Sequence, residues 1–238
     1  MKKALRAVVM IIMLSSVCFA ADGDKDVSEK LSKTYPQLRI TSVSPSPLQG
    51  LYEVVTGDNI IYYHPETDLF FFGEIITKEG KSLTGEKVAT LMAAKMKEID
   101  ITQALKIGTG KHSVIEFTDP DCPYCRMASN YLQGKDVTRH IFFYPLPMHP
   151  KAEDKARYIL CSKDKQKAYE EVMSGELDNK EIAVCSDETV QTLLDEHKKA
   201  ARTVGVQGTP TLVVNGTLVA GANFAQIDRL LNSHEETK

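Results

Sequence analysis

The chain has 238 residues, 26% of them charged, with 29 basic against 32 acidic side chains and a net charge of −3. This acidic balance argues against a nucleic-acid role, and no stretch after the first twenty residues is apolar enough for a transmembrane helix. Its 5 cysteines are too few for a disulfide-dense scaffold.

Lys2, Lys3 and Arg6 form a positive head, Ala7 to Leu14 an apolar core, and Cys18-Phe19-Ala20 presents small residues where a signal peptidase reads. Residues 1–20 are therefore expected to be a secretory signal peptide, too short to span a membrane, with cleavage after Ala20. The alternative is a lipoprotein site at Cys18, which Val17 suits poorly. Cleavage removes three positive charges and no acidic residue, leaving a more acidic chain with four cysteines.

Residues 21–80 read as a small β-rich segment. Leu51–Thr56, Asn59–Tyr63 and Leu69–Phe72 are expected strands, joined by turns at Gly57-Asp58 and His64-Pro65-Glu66-Thr67-Asp68. Glu74–Thr77 is a further expected strand. A segment this short is marginal as an independent core, and its edge aromatics call for a partner surface. The expectation is that it dimerises; the alternative is that it packs on the larger domain of its own chain. Residues 81–110 hold an expected linker helix, about Glu86 to Lys106, with Val88, Leu91, Met92, Met96 and Ile99 on one stripe. That stripe equally suits packing on the larger domain. Gly110-Lys111 resembles the tail of a phosphate loop only by accident, because position 105 is Leu.

From Lys111 the pattern becomes α/β. An expected strand, Val114–Thr118, leads into Cys122-Pro123-Tyr124-Cys125 and a helical stretch from Arg126 to Leu132. A second strand covers Thr138–Tyr144, and Lys151 to about Glu176 is helical in one or two pieces. Val190, Leu193, Leu194, His197, Ala201 and Val204 mark a helix capped by Ser186 and stopped by Gly205. Thr211–Val214, Asn215-Gly216 and Thr217–Val219 form a hairpin, which explains Asn215-Gly216-Thr217 better than glycosylation does. Asn223 caps a last helix with Gln226 three residues on, as in a capping box, and Ile227, Leu230 and Leu231 form its buried face.

The chemistry centres on Cys122 and Cys125. A cysteine at the step from strand to helix lies beside unpaired backbone N–H groups, at the positive end of a helix dipole. A thiolate is stabilised there and becomes a nucleophile near neutral pH. Cys125, one turn on and more shielded, can close a small disulfide. Cys122 is the expected attacking sulfur and Cys125 the resolving one, with Pro123 and Tyr124 tuning them. Asp119 and Asp121 would oppose the thiolate if close. Of the three pairings that four cysteines permit, Cys122 with Cys125 and Cys161 with Cys185 is favoured, because only this leaves the close pair free to cycle. A Cys161–Cys185 bond would then be structural and stabilise by roughly 3–4 kcal/mol. A zinc reading fails on spacing, since Cys161 and Cys185 are far apart. The 6 histidines show no metal spacing either, and His140 and His149 read as surface or packing residues. No metal and no cofactor is expected.

The element order after Lys111, with Gly208-Thr209-Pro210 before the hairpin, is thioredoxin-like with an all-helical insertion. Thr118 to Cys125 resembles the active-site segment of the periplasmic disulfide isomerase family of DsbC and DsbG. Gly205 to Pro210 resembles that family's cis-proline segment, Cys161 with Cys185 its structural disulfide, and Leu51–Val54 with Gly73–Ile76 its dimerisation domain. The resemblance implies an α+β chain with four parts: signal peptide 1–20, N-terminal dimerisation domain 21–80, linker helix 81–110 and catalytic domain 111–238. It implies a cis Pro210, with Thr209 and Pro210 positioning an extended substrate. It further implies a periplasmic, V-shaped homodimer that acts on misfolded or disulfide-containing exported proteins and is kept reduced by a DsbD-like membrane thiol reductase. Pro123-Tyr124 is DsbG-like, whereas Cys161 with Cys185 and the short linker are DsbC-like. The leading expectation is a protein disulfide isomerase and reductase with chaperone-like binding of unfolded chains. The alternatives are a DsbG-like reductase of oxidised cysteines, a disulfide-donating oxidase and a non-catalytic holdase.

Overall fold

Short runs of β-branched and aromatic residues, punctuated by Gly, Asn and Asp, set the strands of this chain. The computed structural model describes residues 21–57 and 59–232. The expected signal over residues 1–20 and Asp58 of the expected turn lie outside them. The chain divides into two compact units, one ending at Gly73 and one beginning at Glu74. None of the described helices is long and apolar enough to cross a membrane.

The first unit holds α1 (Ala21–Thr34), β1 (Ile40–Pro45), β2 (Tyr52–Thr56), β3 (Asn59–His64) and β4 (Leu69–Phe71). The strands form an antiparallel sheet in the order β1-β2-β3-β4. Val54, Ile61 and Tyr63 face inward and pack with Val27 and Leu31 of α1. The helix escaped the sequence reading because Val27 and Leu31 are its only large apolar residues, too few to declare a period. Strand β1 escaped it because it is a polar, half-exposed edge. Glu74–Thr77, expected as a strand, makes only an isolated bridge from Ile76 to Ser82.

The second unit comprises α2 (Leu83–Lys95), β5 (Leu105–Ile107), β6 (His112–Thr118), α3 (Pro123–Leu132), β7 (Val137–Phe143), α4 (Ala152–Cys161), α5 (Lys165–Met173), α6 (Glu188–Val204), β8 (Thr211–Val214), β9 (Thr217–Ala220) and α7 (Phe224–Asn232). Its sheet runs β5-β7-β6-β8-β9, with only the central β6–β7 pair parallel. Alternation along β6 sends Val114 to one face and Phe117 to the other. On the first face Val114, Leu212 and Val214 pack against Ala128 and Leu132 of α3 and Ile227 of α7. Farther along, Ile141 and Phe143 meet α4 and α5 through Ile159, Tyr169 and Val172. On the second face Phe117 and Phe142 stack at 5.4 Å, under Ala201 and Val204 of α6 and Met92 of α2.

Several boundaries differ from the sequence reading. The helix expected over Glu86–Lys106 starts earlier, on Ser82, whose hydroxyl accepts from the Gly85 N–H at 2.8 Å. It stops at Lys95, and Leu105-Lys106-Ile107 alternates in, out, in as β5. The apolar stripe survives this change because Val88, Met92, Met96 and Ile99 pack on one cluster whether or not the backbone stays helical. Gly110 has a structural cause: a Cβ there would lie 2.1 Å from the Val137 nitrogen. Helix α6 is capped by Asp187 rather than Ser186, its carboxylate accepting from the Thr189 N–H at 2.8 Å. Gly205 ends it in the left-handed region at φ 86°. Asn223 caps α7 as expected, but the Gln226 amide donates to the Leu218 carbonyl instead of closing the box.

The helical insertion is two helices, α4 and α5, and Cys161 at the end of α4 is bonded to Cys185, 24 positions on. Closing that loop restricts the unfolded chain. The Cys161→Ala, Cys185→Ala double variant is expected to lose about 3 kcal/mol of stability, read as a lower urea midpoint without reductant.

Candidate active site

Strand β6 delivers the chain to Thr118, and the Asp119-Pro120-Asp121 turn sets Cys122 at the N-cap of α3, with extended φ −73° and ψ 121°. Pro123 occupies the first helical position, where a missing N–H costs nothing. The next N–H groups, of Tyr124 and Cys125, lie at the helix start beside Cys122 and favour its charged form. Both cysteines are free thiols. Cys122 is 5% exposed and Cys125 1%, so the second is the more shielded.

The two thiols are driven apart in acidity. Cys122 is lowered from 9.0 to about 5, chiefly by a hydrogen bond from the Cys125 thiol. Burial opposes this, and the nearby Cys125 N–H, Thr209 side chain and Tyr124 N–H reinforce it. Cys125 moves far upward, first because burial penalises its charged form and second because its proton is held by Cys122.

The other half of the site arrives from β8, whose Thr211 pairs with Phe117 of β6. The peptide bond just before it, Thr209–Pro210, is cis. The Pro210 carbonyl accepts from the Gly221 N–H at 2.9 Å, while the Thr209 carbonyl accepts from the Cys122 thiol at 3.4 Å. Cys122, Cys125, Thr209 and Pro210, far apart in sequence, are thus brought together, with Pro123 and Tyr124 exposed beside them. Tyr124, Met127 and Met148 are large apolar side chains left at the surface, 62%, 50% and 74% exposed.

The nearby carboxylates are occupied. Asp121 pairs with Arg126 at 3.1 Å and with Lys155, and Asp178 pairs with the same two cations. This pairing holds the Asp178 carboxyl far below its ordinary range. Asp119 is fully buried and accepts three hydrogen bonds, from the N–H groups of Asp121 at 2.8 Å and Leu146 at 2.7 Å and from His149 Nδ1 at 2.9 Å. His149, expected as a surface or packing residue, is therefore a partner of the active-site turn. Beneath α3, buried Glu116 and Arg139 pair at 2.5 and 2.8 Å, and Arg139 also donates to the Tyr169 hydroxyl at 2.9 Å. Sequence reasoning missed this pair, although a glutamate inside Val114-Ile115-Glu116-Phe117 was the signal. Cys161 and Cys185 are bonded to each other, so they offer no second half of a zinc site.

A thioredoxin-like sheet with an acidic cysteine at the N-terminus of its first crossover helix defines a thiol–disulfide exchange protein. Residues 100–234 match the thioredoxin-like domain family and residues 18–85 the disulfide bond isomerase N-terminal domain. The chain is 30% identical over 190 residues to a probable thiol:disulfide interchange protein DsbC of Bordetella avium, covering 78% of this chain and 66% of that one. It is 28% identical over 230 residues to the thiol:disulfide interchange protein DsbC of Escherichia coli, covering 93% and 91%. Among solved structures, a linker-deletion mutant of Proteus mirabilis ScsC shares the fold, at TM-score 0.50, 21% identity and coverage of 64% and 86%. The chain belongs to the DsbC-type family of thioredoxin-like thiol:disulfide isomerases.

Thiolate absorbance of the reduced protein should titrate with a midpoint at about 5. Cys125→Ala, which removes the largest lowering cause, should move that midpoint up. Because the folded value lies below the ordinary one, the Cys122 thiolate contributes stability above the unfolded value, and this contribution fades as pH falls toward about 5. Unfolding of the reduced protein against Cys122→Ala over that window checks the sign.

Proposed function

We propose that Cys122 is the attacking sulfur and Cys125 the resolving sulfur of a disulfide isomerase acting on misfolded, disulfide-containing exported proteins. The observation that carries this is the placement of two free thiols at the start of α3, Cys122 at the N-cap against the Thr209 carbonyl and the cis Thr209–Pro210 bond, Cys125 buried in the first turn; this placement lowers the pKa of Cys122 and raises that of Cys125. The Cys122 thiolate attacks one sulfur of a substrate disulfide, forming a mixed disulfide and expelling the other substrate sulfur as thiolate. A second substrate thiolate can then displace Cys122, which leaves the substrate rearranged and the enzyme unchanged. Alternatively Cys125 loses its proton and attacks Cys122, so the pair is oxidised and the substrate leaves reduced. Thr209 and Pro210 position the substrate beside Cys122, and exposed Tyr124, Met127 and Met148 offer apolar contact to unfolded chain. The second exit consumes reducing equivalents, which a DsbD-like membrane thiol reductase would restore.

The segment up to about residue 80 serves as the dimerisation domain and 111–238 as the catalytic domain, joined through 81–110, whose α2 and β5 belong to the second unit. The dimer reading is supported by the match of residues 18–85 to an isomerase N-terminal domain. It is also supported by exposed Leu69 and Phe71 on β4, an edge strand followed by exposed Phe72. The protein works in the periplasm after removal of residues 1–20.

In refolding of a scrambled disulfide protein, Cys122→Ser should fall to the uncatalysed rate, and wild-type activity in that variant would defeat the assignment. Sedimentation should give twice the chain mass, and Leu69→Lys with Phe71→Lys should give monomer; a monomeric wild type removes the dimer.

A further inference from the structure

The attack by Cys122 is accounted for by the neighbouring Cys125 thiol and the helix end, but the second step needs a different device. Cys125 is 1% exposed and held protonated, yet it must carry negative charge as it displaces a captured substrate. Apart from the partner thiol, the Asp119 N–H donates to its sulfur at 3.4 Å and favours the charged form, ahead of the smaller contributions of the Thr118 and Thr209 side chains. The Asp119 carbonyl accepts from the Cys122 N–H at 3.1 Å, so one residue's backbone is hydrogen-bonded to both cysteines. Its side chain is fully tied elsewhere, to the turn itself and to the stretch after β7. Oδ1 takes the Asp121 N–H, and Oδ2 takes the Leu146 N–H and His149 Nδ1. A carboxylate accepts only, so His149 must donate. Without that clamp nothing in the side chain fixes the direction of the 119 N–H, and a hydrogen bond to sulfur weakens steeply with misalignment.

We propose that Asp119, clamped by His149, is the positioning residue for the resolving thiol. It aims its N–H at Cys125, steadies the thiolate that forms there, and so sets how fast captured substrate is released by reduction rather than by rearrangement. In that step Cys125 gives its proton to solvent and its sulfur attacks Cys122. The Cys122–Cys125 bond forms, the Cys122–substrate bond breaks, and the substrate sulfur leaves with the electron pair. His149 acts at one remove and leaves the acidity of Cys122 to the Cys125 side chain and the helix end.

This inference rests on the proposed roles of the two cysteines, and one experiment separates the two. Reduced full-length protein mixed with excess Ellman reagent should release thionitrobenzoate twice, first when Cys122 attacks and again when Cys125 resolves. His149→Leu should leave the first phase within about twofold and slow the second by roughly tenfold, the equivalent of one lost charge-assisted hydrogen bond. His149→Asn, whose amide nitrogen stands near the position of Nδ1, should restore the second phase. Should His149→Leu not fold, Asp119→Asn carries the same expectation. An unchanged second phase, or equal slowing of both phases, overturns the positioning role while leaving the cysteine assignment standing. A wild type whose first phase is as slow as an ordinary thiol overturns the assignment itself.

Discussion

One close pair of thiols organises this active site. The interaction of Cys125 with the Cys122 sulfur has opposite effects at its two ends. Cys122 becomes acidic because its charged form gains a donor, and Cys125 becomes weakly acidic because its proton is in use. Burial sharpens the difference, since Cys125 lies inside the first turn of α3 while Cys122 stands at its mouth. Neither effect needs a cation. The groups that favour its charge are a neighbouring thiol, two backbone N–H groups and the Thr209 side chain, all placed by where a strand meets a helix and by the residue before Pro210.

Keeping charge away from that arrangement is the task of the surrounding polar network. Two aspartates lie within three residues of Cys122, and free carboxylates there would raise its pKa again. Asp121 is neutralised by Arg126 and Lys155, which also bind Asp178 in the stretch between α5 and α6. That stretch is itself pinned through Cys185 to the end of α4. The helical insertion therefore holds the active-site turn from the side. Below the helix, the Glu116–Arg139 pair is enclosed and hydrogen-bonded to Tyr169 and Ser129. Removing one partner would strand a buried charge, so the pair locks β6, β7, α3 and α5 in register more than it adds net stability.

What the sequence made legible was local. Cys122 at a strand–helix step, Asn215-Gly216 between apolar runs and Gly205 after a long helix each carry their conformation in the residue types themselves. Asn215 and Gly216 both adopt positive φ, at 48° and 85°, as the turn requires. The Cys161–Cys185 bond was legible too, because only that choice left the close pair free to cycle. Illegible were features that depend on a distant partner. Helix α1 shows its apolar residues only at Val27 and Leu31 and is fixed by the sheet it covers. Strand β5 looked like the end of a helix because three residues cannot announce their period beside a strong helical stripe. Asp119 and His149 are 30 positions apart, and nothing in either neighbourhood announces the bond between them. Glu116 and Arg139 were legible in principle as charges inside strand patterns. Pairing them also required the parallel register that sets Glu116 opposite Ile141, two residues from Arg139.

The separation of the two acidities also bears on which exit the mixed disulfide takes. A sulfur of low pKa is a good leaving group, so Cys122 is easily displaced by any thiolate that reaches it. The nearest candidate is Cys125, but burial keeps its thiolate scarce. Substrate thiols face no such penalty, and in the proposed function a captured polypeptide keeps its own thiols close at high effective concentration. In the proposed cycle, the burial that keeps Cys125 protonated favours rearrangement over reduction. Escape through Cys125 becomes the slower route, drawn on when no substrate thiol arrives. A chain with these two sulfurs equally exposed would lose that preference even with the same four-residue motif.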